Sequence, residues 1–159
     1  MLIDRMQTLK PEDSRSHIRC PFQLEQSASK MFIHFSYGPK LLDDRQQARE
    51  LMEECVERYI EPERRSLVLG SMDRYFPLSN LITVSVDDPE TYRGACHRHD
   101  PEQQLFLGES ASSPGLTKGR LPSGLWSVTL SVHSIVTDTC EYRLRIWTED
   151  PTTDQSAFS

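Results

Sequence analysis

The residues with the clearest chemical potential are Cys96-His97-Arg98-His99-Asp100. In an extended segment His97 and His99 point the same way, as two metal ligands would. Asp100 would add a carboxylate oxygen. The same residues also read as a polar turn between strands with solvated imidazoles. No His-Glu-x-x-His or similar second half occurs elsewhere; His17, His34 and His133 are the other histidines. Arg93 and Arg98, with Arg143 and Arg145, could form a small basic spot for an anion. Charge on the solvent face of a strand is expected anyway. A nucleophile drawn from Ser110, Ser112 or Ser113 lacks the Gly-x-Ser-x-Gly frame. The local run is Gly108-Glu109-Ser110-Ala111-Ser112, with no helix following to form an elbow. Gly115 and Gly119 are not followed by Gly-Lys-Ser or Gly-Lys-Thr, which excludes a phosphate loop.

These groups sit in a chain of 159 residues, a length that fits one domain or a domain with an attached element. It has 18 basic against 24 acidic residues, a net charge of −6. Phosphate contacts need clustered Lys and Arg, so the balance argues against nucleic acid. It gives no reason for attraction to an anionic membrane surface. No apolar run approaches the ~20 residues of a bilayer span. The start, Met1 to Met6, lacks the basic-then-apolar order of an export signal. The four cysteines, 20, 55, 96 and 140, form no Cys-x-x-Cys pair. They are expected as reduced thiols in the cytoplasm. Cys20 and Cys55 fall on apolar faces and read as small core hydrophobes.

The elements that must position these residues are mostly strands. Ile18, Cys20, Phe22 and Leu24 alternate with polar neighbours, and Pro21 puts that strand at an edge or bulge. Met31, Ile33, Phe35 and Tyr37 form a second run; Ile82, Val84 and Val86 form a third. Leu105 and Leu107 flank Phe106 in a short one. Trp126, Val128, Leu130 and Val132 give the cleanest alternation, followed by Tyr142, Leu144 and Ile146. One apolar and one polar face per strand is the mark of antiparallel sheets packed on one side. Trp126 is therefore a core residue before it is a ligand platform. Phe32 and Trp147 are the aromatics on expected solvent faces, too few for the ladder a carbohydrate-binding sandwich would use.

One segment has helical spacing: Ala48, Leu51, Met52, Cys55, Val56, Tyr59 and Ile60. Asp43 and Asp44 cap its start, Glu54 and Arg58 pair at i,i+4, and Pro62 ends it. Its apolar stripe must bury against a sandwich face or a second chain. Residues 66–80 read as a packed connection with a short helix or strand. Residues 110–124, rich in Ser, Gly and Pro, read as loop.

Three stretches occur together in a familiar order. The first is Leu81 to Pro89 running into Tyr92-Arg93-Gly94-Ala95. The second is Ser113-Pro114-Gly115-Leu116, then Gly119-x-Leu121-Pro122-x-Gly124-x-Trp126. The third is the strand pair from Trp126 to His133 and Cys140 to Ile146. This order resembles the N-terminal β-sandwich domain of CehA/McbA-like metallohydrolases, which are PHP-type metal-dependent phosphoesterases. The resemblance covers residues 17–148. It implies an accessory sandwich, because the family's metal ligands lie in a separate C-terminal domain that begins with its own His-x-His. The chain ends before such a domain, and His97 and His99 lie inside the sandwich motif. In physical terms, Arg93 could bond Asp87 or Asp88 as a clamp across the turn. Pro114-Gly115 and Pro122-x-Gly124 would aim Trp126 inward.

These readings predict a mainly β chain: an antiparallel sandwich, jelly-roll or immunoglobulin-like, with one inserted amphipathic helix. Residues 1–16 are expected as a flexible leader. Residues 17–148 form the sandwich with its helical insertion at about 41–61, and 149–159 form a flexible tail. The expected function is a non-catalytic accessory or binding module, acting in protein interaction or beside a PHP-type hydrolase, with no cofactor. Candidate ligand-binding residues are Arg93, His97, Arg98 and His99. The alternative is a small metal-binding protein or metal-dependent phosphoesterase using His97, Arg98, His99 and Asp100. A protein partner or second copy would meet the helix or a sheet edge; neither nucleic acid nor membrane is expected.

Overall fold

The computed structural model describes residues 1–70 and 78–149. In chain order the strands and helices are β1 (Ile3–Leu9), β2 (Ser16–Leu24), β3 (Lys30–Gly38), β4 (Leu41–Leu42), α1 (Arg45–Tyr59), α2 (Pro62–Gly70), β5 (Leu78–Ser79), β6 (Leu81–Asp87), β7 (Tyr92–Cys96), β8 (Glu102–Gly108), β9 (Gly124–Ser134) and β10 (Cys140–Glu149). Two four-stranded sheets run β1-β10-β3-β8 and β2-β9-β6-β7, with every pairing antiparallel. With the short pair β4–β5 set aside, the eight long strands read 1-8-3-6 and 2-7-4-5. That is the order of a jelly roll, one of the two sandwich types expected.

Alternation builds the core. Phe22, Val84, Val86, Trp126, Val128 and Leu130 face inward from one sheet. Met31, Ile33, Phe35, Leu105, Tyr142, Leu144 and Ile146 face them from the other, and all belong to one apolar cluster. Phe22 and Trp126 stack at 6.3 Å. Pro21 lies in β2, an edge strand, as its missing N–H requires.

Several boundaries differ from expectation. The expected leader is mostly strand: β1 pairs with β10 from Ile3–Ile146 to Leu9–Cys140. Its side chains are largely polar because a single-edge strand buries little, so periodicity alone hides it; only Leu9 is fully buried. Strand β10 continues to Glu149, and the rest of the expected tail lies outside the described residues. So do Tyr75 and Phe76 of the 66–80 connection. The insertion holds two helices where one was expected. Pro62, read as a stop, is the first residue of α2, where a missing N–H costs nothing.

Helix α1 starts where Asp44 accepts hydrogen bonds from the Gln46 and Gln47 N–H groups, at 3.0 and 3.1 Å. Its stripe is buried only at Ala48 and Val56. Leu51, Met52, Cys55 and Ile60 instead line an open apolar groove with Val68 of α2 and Val136. Full burial against the sandwich is thus not reached. Polar contacts tether the helix instead: Gln47 donates to Asp138 at 2.9 Å, and the Arg15 guanidinium lies over Tyr59.

The stem of this insertion hangs on Asn80, which is fully buried. Its amide donates to Pro39 O and Thr137 Oγ1, both at 2.8 Å, and its oxygen accepts from Val136 N at 2.7 Å. Lys40 Nζ donates to the Asn80 carbonyl at 2.6 Å and to the Tyr37 hydroxyl at 2.9 Å. Three loops therefore meet on one side chain. Removing it strands buried donors and acceptors, so Asn80→Ala should lower the free energy of unfolding by about 2–4 kcal/mol in urea titration. A loss below about 0.5 kcal/mol, the size of an ordinary surface change, would contradict this role.

Candidate functional site

The motif residues converge on Arg93. Strand β7 carries a bulge: pairing passes from Val86–Gly94 to Asp87–Tyr92, leaving Arg93 as the extra residue. Gly94, at φ +114°, makes the turn possible. The Arg93 side chain is swung inside and is only 4% exposed. A buried guanidinium must find acceptors, and this one does. Nη1 pairs with Asp88 Oδ2 at 3.0 Å and donates to Arg120 O at 2.9 Å. Nε donates to Thr117 O at 2.9 Å and Nη2 to Gly119 O at 3.1 Å. The guanidinium carbon lies 5.6 Å from the centre of the Trp126 ring. Trp126 in turn donates from Nε1 to Pro122 O at 2.9 Å. Of the two acids expected to meet Arg93, Asp88 takes the bond.

Asp88 is itself built into a turn. Its Oδ1 accepts from the N–H groups of Glu90 and Thr91, both at 2.7 Å. Burial pushes its carboxyl upward, but these two bonds and Arg93 outweigh that, so its pKa lies below the ordinary carboxylate value.

The clamp serves the loop 109–123, which closes one side of the sandwich. Thr117 N donates to Arg93 O at 2.7 Å, along the free edge of β7. On the other sheet Ser113 N donates to Phe106 O at 3.0 Å and Ser113 Oγ accepts from Phe106 N at 2.9 Å. One loop thus occupies the outer edges of both β7 and β8. The approach is close. A Cβ on Gly94 would lie 2.1 Å from Gly115 O, and one on Gly115 would lie 2.4 Å from Ala95 O. The two glycines are there because the two backbones touch.

Arg93, expected among the ligand-binding residues, has its donors engaged by its own chain. The expected basic spot does not assemble either, because Arg143 and Arg145 stand on the other sheet. His97, Arg98, His99 and Asp100 lie together in the link from β7 to β8. His97, His99 and Asp100 are exposed and Arg98 is half-buried. Among the described residues no group of three or more His, Cys, Asp or Glu is arranged to hold a metal ion. The link is fixed through Gln103, which faces inward and donates from Nε2 to Asp100 O at 3.1 Å.

The outer face of the β1-β10-β3-β8 sheet carries a second constellation. Trp147, Phe32 and Phe106 stand in one row across three strands. Arg145, His34 and Gln104 form the next row. Phe32 and Trp147 stack at 5.5 Å, and Lys30 Nζ lies 4.6 Å from the Phe106 ring centre. Arg145 Nη2 is hydrogen-bonded to His34 Nδ1, and His34 Nε2 is 3.2 Å from Glu102. Arg143 holds Asp4 with Nε and Nη2, both at 3.1 Å. That fork holds the Asp4 carboxyl below its ordinary pKa. The sequence reading missed Phe106 on this face. Its position between Leu105 and Leu107 would have placed it there.

No family model matches the chain, and no curated protein does. Among solved structures, the crystal structure of a protein from Sulfurospirillum deleyianum is similar at 9% identity. It covers 92% of this chain and 98% of that one, with a TM-score of 0.32. No helix among the described residues is long and apolar enough to cross a membrane.

Two measurements check the site. Breaking a buried pair by removing one partner costs about 3–5 kcal/mol, so Arg93→Ala should destabilise the fold by that amount in urea titration. Because the Asp88 pKa is depressed on folding, its stabilising contribution is complete above the unfolded value of about 4 and is lost below it. The stability gap between wild type and Asp88→Asn should therefore be constant from about pH 6 to 8 and shrink as pH falls below about 4. A gap independent of pH would contradict the clamp.

The thiols give a third check. Cys20, Cys96 and Cys140 are buried, and burial pushes each of their pKa values up. Cys55, expected in the core, is exposed at the apolar groove because the α1 stripe is only partly covered. A thiol reagent such as DTNB should label Cys55 rapidly in the native protein and the other three only after unfolding. Rapid labelling of more than one thiol would contradict the packing.

Proposed function

We infer that this chain is a non-catalytic β-sandwich accessory module that acts by binding, in protein interaction or alongside a PHP-type hydrolase. The observation that carries this is the engagement of Arg93. The residues behind the family resemblance, Asp88, Arg93, Gly94, Gly115 and Trp126, pack and bond to one another. Their chemistry is spent on closing the sandwich. A guanidinium engaged in this way supports a structural role for these motif residues rather than an open anion-binding one. Side chains open to a ligand remain on the outer sheet face, beside the exposed His97–Asp100 link and the apolar groove.

The test is a titration of the full chain with zinc and with manganese, paired with hydrolysis of p-nitrophenyl phosphate. The expected outcome is neither a tightly bound equivalent of metal nor metal-dependent hydrolysis, with His97→Ala and His99→Ala behaving as wild type. Tight stoichiometric metal that is lost in His97→Ala, together with loss of hydrolysis, would overturn the reading in favour of a metal-dependent phosphoesterase.

A further inference from the structure

A depression of about 360 Å³ lies on the outer face of the β1-β10-β3-β8 sheet. It is lined by Phe32, His34, Gln104, Arg145 and Trp147. Ile33 and Leu105 of the same strands are buried in the core, so the floor is the backbone of β3 and β8. The stacked pair Phe32–Trp147 stands on one side and Arg145, His34 and Gln104 on the other. The size falls at the lower end of the ~300–1,000 Å³ typical of small-molecule sites.

The polar groups here are unevenly satisfied. Arg143 is neutralised by Asp4, and Glu102 is drawn to His34. Arg145 spends Nη2 on His34, and its other N–H groups find no acceptor among the described residues. Among the described residues Gln104 makes no side-chain hydrogen bond, and Lys30 has ring contacts but no ion pair. Arg145 and Lys30, neither forming a salt bridge among the described residues, therefore flank a row of half-buried aromatic rings; Asp4, across from Arg145 on β1, is held by Arg143.

The geometry points to a binding site for a sugar acid, a monosaccharide-sized ring bearing a carboxylate. The carboxylate matches the unspent donors of Arg145, whose planar fork suits it. Hydroxyls on the ring match the amide of Gln104, which both donates and accepts. The apolar C–H groups of the ring pack on Trp147 and Phe32. A neutral sugar would meet the guanidinium only through hydroxyl oxygens and forgo the charge-assisted pair, and an inorganic anion would leave the aromatic wall unused. This assignment rests on the binding-module reading and names its ligand class.

The test uses the full chain, titrated with D-glucuronate, D-glucose and sulfate while backbone amides are followed by NMR. Glucuronate should shift amides in Phe32–His34 and Gln104–Phe106, and should bind about tenfold or more tighter than either comparison ligand, the effect of one charge-assisted contact. Arg145→Gln should reduce glucuronate affinity to the level of glucose, and Trp147→Ala should weaken both sugars. If Arg145→Gln fails to fold, Gln104→Ala, an exposed change, carries the same test with an expected loss of about threefold or more. Equal binding of glucuronate and glucose, equal binding of sulfate, shifts elsewhere on the protein, or affinity unmoved by these substitutions would overturn the assignment. None of those results bears on the module reading, which is decided separately by the metal and phosphoester measurements.

Discussion

The sandwich depends on a guanidinium taken out of water. Arg93 carries a fixed positive charge into a place where only 4% of it meets solvent. That is unfavourable unless acceptors surround it, and the chain supplies one carboxylate and three carbonyls. The three carbonyls belong to Thr117, Gly119 and Arg120. One side chain thereby ties three successive parts of a loop that lacks regular structure, beside the Ser113–Phe106 bonds at its other edge. Lysine has no fork of this kind and could not reach all four acceptors in the same way. The loop in turn occupies the outer edges of β7 and β8, where open backbone groups would otherwise invite pairing with another strand.

A second anchor works in the same manner at the other end of the chain's irregular regions. Asn80 has two donors and an acceptor on its side chain, and each is used. It fixes the point where the helical insertion leaves and rejoins the sheets. The helices themselves are held more loosely. Only Ala48 and Val56 of α1 are buried, so most of its apolar stripe borders the groove rather than the sandwich core. Stability in this protein is therefore uneven: greatest where β3, β9 and β10 cross the core, and least in α1 and α2.

The two sheets also divide the chemistry. On the β7 side, charge is consumed internally and the surface left to solvent is the short His97–Asp100 link. On the outer face of the other sheet, the alternation that buries Ile33, Leu105 and Ile146 pushes Phe32, Gln104, Arg145 and Trp147 outward. Those residues come from three strands far apart in sequence. Their register in the sheet, not their spacing along the chain, puts the rings in one row and the polar groups in the next.

The period-2 pattern determined the strands that bury one full face. Residues such as Trp126, Val128 and Leu130 face the core wherever such a strand is placed, because burial is proportional to apolar area and needs no partner identity. A cap at Asp43 or Asp44, Pro21 at an edge or bulge, and a clamp from Arg93 to Asp87 or Asp88 were legible as local stereochemical demands; the structure selects Asp44, the edge and Asp88. Tertiary structure alone decided the rest. Strand β1 is polar and takes its place from hydrogen bonds to β10, which leave no apolar periodicity. The bulge that turns Arg93 inward depends on Gly94 meeting Gly115, a contact between distant backbones. The meeting of Arg145 with His34 depends on the β10–β3 register across more than a hundred residues. Long-range pairing is set by the packing of all the strands together, so no local window of the chain contains it.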